Sequence, residues 1–190
     1  LEEESILEYG IISDDLISND INESTLGNLV WLILLVVIVV VFVLALAFRS
    51  ATMVVAPLIA LLASLVWTYG TITLLGMRFS ILEVAVAPVV LGLGIDYSIH
   101  LQRAYERAKE RSSSSAEAWA KALMELRVAL SLAVTTTVFA FLANSLSPLP
   151  PLRTFGATLA LGVVSAFVAS TLTVGAIHVF VERTMGASKK

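Results

Sequence analysis

The chain has 190 residues, of which 58% are hydrophobic and 14% charged, with a net charge of −3. Soluble domains carry about a quarter charged residues, so a water-soluble globule is excluded and most of the chain must be solvated by lipid. With no cysteine and two distant histidines, His100 and His178, disulfide frameworks, thiolate metal sites and histidine metal clusters are also set aside.

Residues 1–28 hold eight carboxylates and neither lysine nor arginine. A polar, acidic stretch at this position is not a signal peptide; residues 1–26 are expected to be the tail of an extracytoplasmic domain. Five apolar runs of spanning length follow, making residues 27–183 a transmembrane five-helix domain. The first, Leu29 to Phe48, has almost no small or polar residues and is expected to face lipid broadly. Arg49, Ser50 and Ala51 close it as a tight turn. The second run, Met53 to Leu75, contains Pro57, and Gly76 to Ser80 forms a short turn after it.

The third run, Leu82 to Leu101, opens with Glu83, expected at the interface, and contains Pro88, expected with Pro57 to bend its helix. It continues as a polar helical extension, Arg103 to Arg111. Ser112 to Ser115 break that helix, and Ser114 with Glu117 fits a capping box that starts the next. The whole connection, 102–127, is expected to be cytoplasmic. The fourth run, Val128 to Leu146, carries Thr135, Thr136 and Thr137, and a proline-rich loop from Ser147 to Arg153 follows. The last run, Phe155 to Val181, is long for one span; His178 and Glu182 are expected to form a local polar pair near its end, before a tail at 184–190.

Charge sets the expected orientation. With the N-terminus outside, ten of the twelve basic residues fall on the cytoplasmic side and only Arg78 and Arg153 outside. Five spans then leave the C-terminus in the cytoplasm. The odd number of spans, and a start at Leu1 in a segment that must cross the membrane, predict a further span upstream.

Asp96 carries the most information. It lies in Gly92-Leu93-Gly94-Ile95-Asp96-Tyr97-Ser98-Ile99-His100, roughly 7 Å from the middle of the third run. A charge there costs several kcal/mol, roughly 2.5–3.5 on insertion scales, and marks proton or ion paths. Aspartate is too short to snorkel, so it needs protein partners or water. Desolvation favours its neutral form, and a group that is neutral in one state and charged in another can couple protons to conformational change. Thr135 or Thr136 lies at a similar depth and is expected to bond Asp96. Gly92 and Gly94 are expected to admit a neighbouring backbone close to the carboxylate. Tyr97, Ser98 and His100 are the remaining candidates, His100 and Ser98 as accessory groups.

These residues resemble the resistance–nodulation–division (RND) superfamily. The run from Gly92 through Asp96-Tyr97-Ser98-Ile99-His100-Leu101 into an Arg/Glu-rich helix resembles its fourth transmembrane helix, closest to the hydrophobe-exporter branch and the mycobacterial large membrane proteins. Phe48-Arg49-Ser50 is similar to the close of its second helix. Thr135-Thr136 with Phe139 and Phe141 is similar to its fifth. Leu152-Arg153-x-Phe155-Gly156, then Ala160-Leu161-Gly162-Val163, is similar to its sixth. The resemblance covers nearly all of residues 25–183 and implies helices two to six of one RND half, a unit also like the sterol-sensing domain.

It further implies a plasma-membrane or inner-membrane exporter of hydrophobic or amphiphilic molecules, driven by protons, with Asp96 as carrier. On that analogy Tyr97 pairs toward a second half, supplied by the same longer chain or by a homo-oligomer partner. The alternative is a lipid- or sterol-sensing module that pumps nothing; a protein-export accessory like the SecD/SecF subunits ranks last. No enzyme activity, cofactor or nucleic-acid partner is expected; the coupling species is the proton.

Overall fold

The computed structural model describes residues 31, 33–48, 50–77 and 81–187, and every element among them is helical. Helix α1 spans Ile33–Ala47 and α2 Ala51–Leu74. A 3₁₀ turn at Ile81–Ala85 leads into α3, Val86–Lys109, and α4 is Ser115–Leu142. Helix α5, Pro150–Ala169, runs through a π turn at Ser170–Val174 into α6, Gly175–Ala187. Four helical stretches are long and apolar enough to cross a membrane, and α1 is a shorter apolar helix of the same kind. The expected extracytoplasmic tail at 1–26, Arg49, Arg78 and the final residues 188–190 lie outside the described residues.

Local chemistry accounts for the helix ends. Gly76 adopts φ +64° after α2, and a Schellman pair closes that helix: Met77 N–H to Ile72 C=O at 3.2 Å and Gly76 N–H to Thr73 C=O at 3.1 Å. The Ser114 hydroxyl accepts from Glu117 N–H at 3.2 Å, capping α4. The Glu117 carboxylate reaches back to Ser113, taking its N–H at 3.1 Å and its hydroxyl at 2.8 Å. Pro150 and Pro151 occupy the first turn of α5, where missing N–H groups cost nothing.

Helices α3 and α5 lie at the centre. Helix α5 packs on α2, α3 and α4, and α4 lies along α3. Helix α1 uses only one stripe, Val40, Leu44 and Phe48 at four-residue spacing, against Leu61, Leu91 and Ile95; most of its surface stays open. Small residues let α5 approach its neighbours. A Cβ at Gly162 would stand 2.3 Å from Val90 Cγ2, and one at Gly94 would stand 3.2 Å from Ala166 Cβ. One turn beyond Gly94 and Ala166, the buried Ser98 hydroxyl donates to Ser170 Oγ at 2.9 Å.

One expectation needs correction. Pro88 falls in the first turn of α3, where no intrahelical N–H bond exists to lose, so it starts the α-helix instead of interrupting it. Glu83, at the entry of this span, is packed among protein atoms and only 1% exposed, where Tyr69 donates to its backbone carbonyl at 3.1 Å.

Candidate functional site

Asp96 sits in the middle of α3, about 15 Å from Val86 and about 20 Å from Lys109 along the helix. Its side chain is on the exposed face of the five-helix unit, in line with Gly92 and His100 one turn to either side. Across from it, α4 presents a nearly open surface: 6% of the residues in its apolar window are buried, against 50% for α3. Between the two helices lies a crevice of about 380 Å³, lined by Asp96, Tyr97 and His100 from α3 and by Leu126, Ala133 and Thr137 among others from α4.

Asp96 has no hydrogen bond or ion pair among the described residues. Tyr97 is buried beside it, its ring edge-on to Phe167 at 6.0 Å, and it lines the crevice together with Thr137. The arrangement is a carboxylate facing a notch whose wall includes Tyr97 and Thr137. Such a notch can hold water or a proton, and its open side calls for a covering element in an apolar membrane.

The three threonines divide by helical phase. Thr136 donates to the Leu132 and Ala133 carbonyls at 2.9 and 3.0 Å, and Thr137 to Ala133 at 2.8 Å. Thr137 lines the crevice; Thr135 and Thr136 are exposed outside it. The spacing Leu126, Leu130, Ala133, Thr137 carries the signal that selects Thr137, since those positions form the α4 row meeting α3. The glycines also part. A Cβ at Gly92 would meet no atom within 4 Å, whereas Gly94 packs on Leu61 and Ala166, facing the core and not the carboxylate. Ser98 likewise points inward, to Ser170.

A second polar cluster stands at the basic end of the bundle, unforeseen because its members lie far apart in sequence. Glu182 pairs with Lys109 and accepts the Ser115 N–H at 2.6 Å. Ser115 in turn bonds Tyr105 at 2.9 Å and Lys109 at 3.1 Å. His178 does not pair with Glu182; its ring stacks on Tyr105 at 4.2 Å, beside Trp119. This cluster ties α3, α4 and α6 together well beyond Asp96, toward the end of α3.

The sequence profile of the MMPL family matches residues 13–190. The chain belongs to the MMPL family. That family is part of the RND superfamily, whose members are transporters. A Methanocaldococcus jannaschii protein described only as a membrane protein is 32% identical to this MMPL chain over 141 residues. The match takes in 74% of the chain and 36% of that protein, so the chain spans about a third of its relative's length. No solved structure matches. Family and apolar helices together make this a multi-pass membrane protein of RND type.

Proposed function

We propose that this MMPL chain is the proton-coupling unit of an exporter of hydrophobic or amphiphilic molecules, with Asp96 as the group that takes up and releases the proton. The observation that carries this reading is the position of Asp96: a carboxylate at the middle of a long, mostly apolar helix, open to the crevice between α3 and α4. Tyr97 and Thr137 form the hydroxyl wall along which water can approach, and His100 stands one turn closer to the basic end.

The basic end lies in the cytoplasm and the N-terminus outside, by the charge asymmetry, in a cytoplasmic or plasma membrane. The exposed α3–α4 face is covered by a second RND half, from the same longer chain or from a second copy. Protonation of Asp96 removes a charge from that junction, and its release restores it, so the two halves rock against each other as the proton passes.

The test is proton-coupled transport in proteoliposomes by the intact natural protein, wild type against Asp96→Asn. Loss of transport driven by a pH gradient, with folding retained, supports the relay. Unchanged transport would end it and favour a lipid- or sterol-sensing module, which has no use for a titrating group at this place.

A further inference from the structure

Between α4 and α6, apart from the Asp96 crevice, lies a cleft of about 530 Å³. Its walls are apolar, with Leu123, Leu172, Val179 and Phe180 among them, and Trp119 lies across its floor against Gly175. Arg183 stands at its rim.

Charge pairing makes that arginine distinctive. Of the carboxylates at the basic end, Glu182 is engaged by Lys109, Glu117 by Lys121 at 2.7 Å and Glu125 by Arg107 at 2.7 Å, while Glu106 and Glu110 have no ion pair among the described residues. Arg183 has no ion pair among the described residues. Inside the cleft the Thr171 hydroxyl is buried without a hydrogen-bond partner among those residues. The adjoining groove between α2 and α6, of about 620 Å³ around Trp67, Leu172 and Phe180, has no charged residue in its lining. Of the two, the α4–α6 cleft therefore joins an acyl-sized apolar trough to an uncompensated guanidinium.

We infer that this cleft is a binding site for one anionic glycerophospholipid of the leaflet meeting the basic end, with an acyl chain along Trp119 and Phe180 and the phosphate on Arg183. Guanidinium suits a phosphate because its fork offers two parallel N–H donors. Arg103, Arg111 and Arg127 at the same end, without ion pairs among the described residues, outnumber with Arg183 the unpaired Glu106 and Glu110 and leave a net positive field that draws an anionic headgroup in. The site stands apart from the transport reading, because Asp96 and its crevice take no part in it.

Trp119 supplies the readout. The intact protein is reconstituted in vesicles of phosphatidylcholine containing rising fractions of brominated-chain phosphatidylglycerol or brominated-chain phosphatidylcholine. The Trp119 signal is the difference in fluorescence between the parent and Trp119→Phe. Brominated phosphatidylglycerol is expected to quench it at a mole fraction about fivefold lower than brominated phosphatidylcholine, the preference one cation near the surface confers. Arg183→Gln should abolish that preference while leaving quenching by both lipids. Arg183→Lys should keep most of it, and Arg153→Gln, at the opposite end, should leave it unchanged. Equal quenching by the two lipids in the parent would overturn the site as a generic lipid contact. Absence of quenching by either would overturn it in favour of a protein segment covering the cleft.

Discussion

Replacing Gly156 with alanine puts a Cβ 2.5 Å from the Phe141 carbonyl oxygen and 2.6 Å from Asn144 Cβ, at the junction where α5 leaves the end of α4. The Phe141 oxygen belongs to backbone and cannot rotate away, so the helices must separate. Overpacking of this kind costs about 1–3 kcal/mol. Against it stands the gain of alanine over glycine in a helix, about 1 kcal/mol. The net expectation is a loss of up to about 2 kcal/mol, or up to about 8 °C in Tm for a chain of this size. Gly70 in α2 is the matched control, because its Cβ position has nothing within 4 Å and Gly70→Ala should be neutral or mildly stabilising. Thermal unfolding in one detergent, followed by circular dichroism for both variants, gives the comparison. Equal shifts for the two, or a stabilised Gly156→Ala, would refute the close α4–α5 contact as the reason for glycine.

Thr137→Val should slow proton-coupled transport by about tenfold, about 1.4 kcal/mol for loss of a hydroxyl from the crevice wall, whereas Thr135→Val, outside the crevice, should leave it near wild type; initial rates in proteoliposomes separate the two. His178→Phe keeps the ring stacked on Tyr105 and removes a buried Nε2 that has no partner among the described residues, so stability should hold or rise, while His178→Ala should cost roughly 2–4 kcal/mol in the same unfolding assay.

The sequence made the bundle legible because lipid imposes long apolar runs, and nothing else in a chain produces five of them. The break at Ser112–Ser115 was equally plain, since Ser114 and Glu117 carry their capping chemistry locally. Asp96 stood out for the same reason in reverse, as a charge where lipid forbids one. Choices that depend on facing were not legible. Thr135, Thr136 and Thr137 differ by about 100° each around α4, and only the packing of α4 on α3 selects the last. Gly92 and Gly94 have the same composition and opposite surroundings. The link from Lys109 to Glu182 spans 73 residues, and neither partner's neighbours announce the other.

The π turn at Ser170–Val174 makes the final helix a spliced object, with two faces set out of step by one wide turn. Ser170 meets Ser98 on one side of the splice, and Gly175 meets Trp119 on the other. Point substitutions in the turn leave that phase intact. Because a π turn takes up one extra residue within a single turn, deleting one residue there would let it close to an ordinary α turn, with His178, Glu182 and Arg183 kept close to their present faces. A one-residue deletion in the regular helix on either side would instead turn everything beyond by about 100°, so this five-residue turn is the place where the final helix can absorb a change of length.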